Sequence, residues 1–324
     1  MNQAEDRLEA LPECPICDSP SAYEYSGRDL MFDRHVRYDY YSCPRCGCVF
    51  QSPTPNREAI ASFYPESYGV YDQEKRIGSL SKLRMAQLWH ACGYRHLSPS
   101  FPYRLVSALF CLLRPPTIPA WGGGGRMLDV GCGNGRYLTT MRTLGWEVQG
   151  VEFSEDGMKA CRLSGLSVHH GDLFSAQFPE GNFDLVTVRH VIEHVPQPRP
   201  FFAELARILR AGGRLVIETP NSEALGRRWF NTHWYHNDVP RHLYLFSPAN
   251  IESLGAHVGL FKAGLVMDTT PKSFLNSLDY LNGNRNRPSK RIAWRRFMAR
   301  AYVWLARRKG RGDTFQITFV KPAV

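Results

Sequence analysis

The clearest chemistry in this sequence lies between Arg126 and Glu152. A carboxylate, three alternate glycines and a second carboxylate follow one another there as Asp129, Gly131, Gly133, Gly135 and Glu152. Alternate glycines let a backbone turn through positive φ and admit a ligand close to the main chain. The spacing fails the dinucleotide fingerprint G-x-G-x-x-G/A, because Arg136 stands at its sixth position. A carboxylate just ahead of the glycines would also repel a pyrophosphate and attract an ammonium group. The elements that must position these residues are legible. The apolar run 127–130 predicts a strand, Tyr137, Leu138 and Met141 fall at helical spacing, and 147–151 predicts a second strand that delivers Glu152 at its tip. An acid in that position suits a ribose diol.

The stretch resembles motif I of the class I S-adenosylmethionine (SAM) methyltransferases. That resemblance implies that Asp129 lies near the methionine amino group, that Glu152 holds the ribose hydroxyls and that Asp172, after the third strand, faces the adenine edge. The cofactor set it implies is Asp129, Gly131, Cys132, Gly133, Gly135, Glu152, Phe153, Asp172, Leu173 and Arg189. The rest of the chain continues the α/β alternation. Helices are expected over 154–163, with Ser154 as N-cap, over 200–209 and over 248–259. Strands are expected over 167–170, 183–188, 214–218, 265–269 and 314–320, with Ala211-Gly212-Gly213 capping the helix before the fifth. The stretch after 183–188 ends Glu193-His194-Val195, as is common in the family. The resemblance implies a Rossmann-like seven-stranded sheet with helices on both faces, its last strand antiparallel and slotted into the sheet edge.

Cys14-Pro-Ile-Cys17 and Cys43-Pro-Arg-Cys46 form two C-x-x-C knuckles on either side of a β-rich segment. Each knuckle folds two sulfurs onto one ion, so the pair predicts a zinc ribbon with Cys48 as a spare thiol. The expected organisation is a zinc ribbon over 1–55, a helical cover over the SAM cleft with its linker over 56–121, and the methyltransferase domain over 122–324.

The net charge of +10 is local. Residues 285–311 hold eleven Lys/Arg and no Asp/Glu, which leaves 29 basic against 30 acidic residues elsewhere. In that segment Trp294, Phe297, Met298, Ala301 and Leu305 share one helical face, with Arg291, Arg295, Arg296 and Arg300 on the other. Such a helix either docks on an anionic surface, phospholipid or nucleic acid, or packs its stripe on the protein's own sheet. No apolar run approaches the ~20 residues of a membrane span. The polar start MNQAEDRLEA is no secretory signal, so a cytoplasmic location is expected, with peripheral attachment at the inner membrane face as the other option.

Beyond the fifth strand, residues 222–246 carry His233, Trp234, His236, Asp238, Arg241 and His242, a loop suited to walling an acceptor site. The segment from Asp238 to Ser247 resembles a stretch in bacterial small-molecule methyltransferases of ubiquinone-like or polysaccharide pathways. His194 and His242 are the candidate bases for an acceptor hydroxyl, although a buried histidine bonded to backbone is an alternative for His242. The expected acceptor is a small molecule, such as a sugar nucleotide or a lipid-linked intermediate. The rivals are an RNA methyltransferase, which the ribbon and basic helix would suit, and a non-catalytic zinc-organised binding protein on a methyltransferase fold. The knuckles make one prediction on their own. Purified protein should carry one zinc per chain, lost when Cys14 and Cys43 are both replaced by serine; zinc that survives the double substitution would refute the assignment.

Overall fold

In the computed structural model the chain is described over residues 12–64, 81–113, 118–122, 125–283 and 293–323. Three short strands come first, β1 (Ala22–Arg28), β2 (Arg37–Ser42) and β3 (Val49–Gln51), in an antiparallel meander. Helices α1 (Arg57–Ser62), α2 (Lys82–Ala91) and α3 (Phe101–Leu113) follow. The alternating part runs β4 (Arg126–Val130), α4 (Arg136–Thr143), β5 (Glu147–Glu152), α5 (Glu155–Leu163), β6 (Ser167–His170), β7 (Phe183–Arg189), α6 (Pro198–Ile208) and β8 (Leu209–Pro220). The chain then continues through α7 (Leu225–Phe230), β9 (Tyr244–Leu245), α8 (Pro248–His257), β10 (Phe261–Asp268), α9 (Pro271–Leu281), α10 (Ala293–Arg308) and β11 (Thr314–Val320).

Seven strands form one sheet in the order β10-β11-β8-β7-β4-β5-β6. β4 through β8 pair in parallel, and β11 runs antiparallel to both its neighbours. Side chains alternate across a strand, so each strand feeds two cores. On one face Leu128, Val130, Val186, Val188 and Ile217 meet Phe202 and Leu205 of α6 and Ile251 and Leu254 of α8. On the other, Met127, Leu185 and Val216 meet Leu88 of α2, Met141 of α4 and the Tyr94 and Trp146 side chains. The result is the expected Rossmann-like sheet covered on both faces.

Several expectations are corrected. β11 is not the edge strand but lies between β10 and β8, which pairs both rows of its backbone groups and buries Phe315, Ile317 and Phe319 completely. Gly212 and Gly213 do not cap α6. The chain passes from Ile208 straight into β8, and a register irregularity between Phe183 and Leu185 of β7 absorbs the Ala-Gly-Gly stretch. The segment after α1 packs through Leu88 of α2 against the amino-terminal part of β4 and the end of α4, where His96 bonds the Leu144 carbonyl at 3.0 Å and Trp121 meets Trp146 edge-on at 5.4 Å. α9 had no sequence-based expectation.

The larger surprise is β9. It leaves the loop after β8 and pairs antiparallel with β3, completing a second sheet in the order β1-β2-β3-β9. Arg241, just ahead of it, is wholly buried. Its guanidinium takes Asp29 in two bonds of 2.8 and 3.1 Å and Asp238 at 2.7 Å, with the Phe32 ring 5.0 Å away. Asp29 is also wholly buried and accepts the backbone N–H groups of Met31 and Phe32. Removing one partner of such a pair strands a charge in the interior, which costs about 3–5 kcal/mol. Asp29→Ala should therefore destabilise the protein by about that much in denaturant titration. Asp33→Ala, at the exposed Arg28–Asp33 pair, should cost under about 1 kcal/mol. Equal losses for the two variants would show that the buried pair does not tie the meander to the loop.

Candidate functional site

The glycine turn sits where β4 ends. Gly131, Gly133 and Gly135 have φ of 70°, 56° and 73°, values that a side chain would strain. A Cβ on Gly131 would strike Val191 at 2.3 Å and one on Gly135 would strike Leu166 at 2.3 Å, whereas one on Gly133 would meet nothing within 4 Å. The turn is therefore packed on both flanks and open at its centre. Asp129 is buried beneath it, its carboxylate accepting the Thr187 hydroxyl at 2.6 Å. Burial pushes its carboxyl up to about 6. Glu152, at the tip of β5, accepts the N–H groups of Gly133 and Ser154 at 2.7 Å each and so clamps the turn to the start of α5. Phe153 beside it is more than half exposed. A buried carboxylate awaiting a cation, an open glycine backbone, a second carboxylate and an exposed ring fit the ammonium, the main body, the ribose and the adenine of SAM.

The other expected cofactor residues fall around this turn with varied surroundings. Cys132 is buried with its sulfur 3.9 Å from that of Cys161. Asp172 is pinned in a turn by the Ser175 N–H at 2.8 Å, and Leu173 lies in the main core. Arg189 lies over the Tyr137 ring at 4.4 Å and donates to Glu218 at 3.0 Å.

Val191, which abuts Gly131, begins a tight turn at the end of β7 that sets a second cluster next to the first. His190 holds a left-handed φ of 55°, a strained conformation for a non-glycine residue. Its ring lies 3.4 Å from Glu193 and 3.5 Å from Glu218 of β8. Burial disfavours its charge, but these carboxylates win and raise it to about 10. Burial likewise opposes ionisation of Glu193, yet His190, His194 and His242 bring it down to about 2. Thr219 donates to Glu193 at 2.9 Å.

The two candidate bases come together here, ring centroids 4.8 Å apart. One nitrogen of each and a Glu193 oxygen lie within 4.8 Å of one another. Nδ1 of His242 donates to the His236 carbonyl at 2.8 Å, which leaves Nε2 with a lone pair. That Nε2 faces Glu193 at 3.9 Å and Asp238 at 3.8 Å. Burial, then His194, lowers His242 to about 4, so it is neutral at pH 7. Nδ1 of His194 lies 2.8 Å from the Arg241 carbonyl and 3.1 Å from the Tyr64 hydroxyl.

The remaining loop residues divide. His236 bonds Ser273 at 2.9 Å and is held down to about 3 by burial. Trp234 is buried and donates to Asp313 at 3.1 Å, and Arg241 is the buried anchor described above. His233 is half-buried beside Thr232. Sequence reasoning missed Glu193, His190, Glu218 and Tyr64. The first two stand at i and i+3 in His190-Val-Ile-Glu193, a spacing that could have marked them as one face of a turn. Tyr64 arrives from a distant segment and had no local signal.

At the other end of the chain, the sulfurs of Cys14, Cys17, Cys43 and Cys46 all lie within 4.8 Å of one another, with Cys14–Cys46 at 3.6 Å and Cys17–Cys43 at 3.5 Å. Zinc–sulfur bonds of about 2.3 Å in a tetrahedron put sulfurs ~3.8 Å apart, so this set fits zinc. Cys48 is buried and donates its thiol to the Val49 carbonyl. Among the described residues no helix is long and apolar enough to cross a membrane.

The methyltransferase-domain family matches residues 79–261, more than half of the chain. A ubiquinone biosynthesis O-methyltransferase from Thiobacillus denitrificans is 38% identical over 109 residues, 31% of this chain and 47% of that protein. An ajmaline N-methyltransferase from Rauvolfia serpentina is 29% identical over 174 residues, 50% of this chain and 57% of that protein. The chain thus spans about half the length of these curated relatives. A solved SAM-dependent methyltransferase from Archaeoglobus fulgidus aligns with a TM-score of 0.46 at 21% identity, over 67% of this chain and 94% of that one. With its sheet order, its glycine turn between two acids and the family match together, the chain belongs to the class I SAM-dependent methyltransferases.

Proposed function

We propose that this enzyme methylates a hydroxyl oxygen of a small acceptor, with His242 as the general base. The observation that carries the reading is a neutral imidazole whose free Nε2 faces two carboxylates beside the glycine turn. Bound at that turn, SAM supplies an electrophilic methyl group. Asp129 would hold its ammonium, Glu152 its ribose through lone pairs that the two N–H bonds leave over, and Phe153 and Asp172 would flank its adenine. Gly131, Cys132, Gly133 and Gly135 offer backbone along it, with Leu173 and Arg189 as walls.

As the acceptor oxygen is methylated, its proton passes to Nε2 of His242. The imidazolium so formed lies between Glu193, already ionised, and Asp238, whose carboxyl is lowered despite burial by His242 and Arg241. Positive charge created there is stabilised where it appears, the arrangement that makes a base effective during the transfer rather than before it. A base held down to about 4 favours an acidic hydroxyl. A phenol, near pKa 10, gives up its proton far more readily than a sugar alcohol, so the acceptor we infer is a phenol of the quinone-precursor type. The similarity to a ubiquinone biosynthesis O-methyltransferase supports that choice over a sugar nucleotide. We also propose that Cys14, Cys17, Cys43 and Cys46 hold a structural zinc and that the domain boundaries lie near residues 55 and 121.

Asp129 makes the cofactor step sensitive to pH. Its carboxyl, raised to about 6 by burial, must be ionised to pair with an ammonium, so binding requires the proton to leave. SAM affinity should be flat between pH ~6 and ~7.5, before an α-amino group loses its proton, and fall about tenfold per unit below pH ~6. Calorimetry across that range reads this directly, and an affinity that holds steady a full unit below would remove Asp129 from the ammonium. For the acceptor, methyl-labelled SAM should label catechol-type phenols and not nucleotide sugars. His242→Ala should cut turnover on the phenol by about 10²–10⁴-fold and leave SAM affinity near the parent value. Labelled nucleotide sugars would overturn the acceptor class, and near-parental turnover would return His242 to a structural role.

A further inference from the structure

Sequence alone leaves open whether the apolar stripe of α10 faces the protein or the solvent. The structure turns most of it outward. The packed face consists of Arg295, Ala299, Tyr302 and Ala306, at i, i+4, i+7 and i+11. It is narrow, small and partly polar, contrary to the expectation that Arg295 belongs to a solvated face. Arg295 donates to Asp279 of α9 at 2.5 Å, and the Tyr302 hydroxyl donates to Asp313 at 2.6 Å. At 3.6 residues per turn, Trp294, Phe297, Met298 and Trp304 then lie off this face, Phe297 and Trp304 directly across the helix and Trp294 and Met298 on its flanks. They are 57%, 70%, 43% and 61% exposed. Leu305, the last residue of the expected stripe, is instead partly buried against the cluster that holds Tyr302 and Phe274.

Its surroundings are mainly basic, with Asp268 pairing Arg307 at 3.5 Å. Arg296, Arg300, Arg307, Arg308 and Lys309 are all exposed, and the helix contains no acidic residue. The Arg308 guanidinium lies over the Trp304 ring at 5.3 Å. Tryptophan and arginine side by side are suited to the headgroup layer, where a ring meets hydrocarbon and a cation meets phosphate. We propose that the outward face of α10 docks on the headgroup region of a bilayer rich in anionic phospholipid. Charge complementarity selects this occupant. A second copy of the chain would bring like charges together, and Phe297 with Met298 offers hydrocarbon rather than the hydrogen-bond donors that read nucleic acid. The helix is about 24 Å long at 1.5 Å per residue, long enough to lie along the surface, and the rest of the basic stretch, 284–292, lies outside the described residues.

Asp313 takes Tyr302 of α10, Trp234 of the loop that carries His242, and Thr269 at the end of β10. The inference rests on the surface of α10 and not on the identity of the acceptor.

Co-sedimentation of the full chain with vesicles tests it. Binding is expected to vesicles of phosphatidylcholine with phosphatidylglycerol, not to phosphatidylcholine alone, and should weaken at least tenfold when salt is raised from low to high. Trp294→Ala with Phe297→Ala, and separately Arg300→Glu with Arg308→Glu, should each reduce it at least tenfold while SAM affinity by calorimetry stays unchanged, which shows the variants folded. Failure to bind vesicles of either kind overturns the proposal. So does anionic binding that both double variants retain, and so does tight RNA binding without vesicle binding.

Discussion

A buried arginine must be neutralised where it sits, and Arg241 is neutralised by residues from two distant parts of the chain. Asp29 comes from the N-terminal meander and Asp238 from the loop after β8. Taking such charges from water costs several kcal/mol per ion, which only close, well-directed partners repay. The geometry of the loop is therefore not free to vary. The next residue, His242, has its carbonyl held by the Tyr40 hydroxyl at 2.9 Å and its Nδ1 held by His236. The meander is thus part of the wall that orients the imidazole.

The electrostatics of the cluster follow from this rigidity. Glu193 and Glu218 are ionised, His190 carries the proton between them, and His242 and His236 remain neutral. Linkage sets the pH range in which this order adds stability. The carboxylates contribute above their ordinary values near 4.5 and lose that contribution as pH falls toward 2. His190 contributes fully below about 6.5 and loses its contribution as pH rises through about 10. All three contributions are full between about 4.5 and 6.5, and at neutral pH the carboxylates keep theirs while His190 keeps most of its own.

Much of the fold was legible because its signals are local. The run 127–130, the alternate glycines and the Ser154 cap each announce an element within a few residues, and Ser154 does accept from Gly157 N–H. Thr314–Val320 was read to the residue because Phe315, Ile317 and Phe319 alternate strictly. Its place between two strands was not readable, since alternation reports burial and not neighbours. Arg241 looked like a wall residue because a sequence shows a charge without showing Asp29 beside it. Tyr64 and β9 went unseen for the same reason: their partners lie far off along the chain.

The pairing of β9 with β3 bears on the order of assembly. Val49 meets Leu245 across nearly two hundred residues. At about 5–20 residues synthesised per second, ~10–40 s separate the making of the two strands. During that interval β3 presents an unpaired edge, an invitation to misassociation, and Asp29 lacks the guanidinium it is built to bury. The N-terminal sheet can gather its cysteines early, but it reaches its final form only after β4 through β8 have emerged. In this chain the part made first is among the last to be finished.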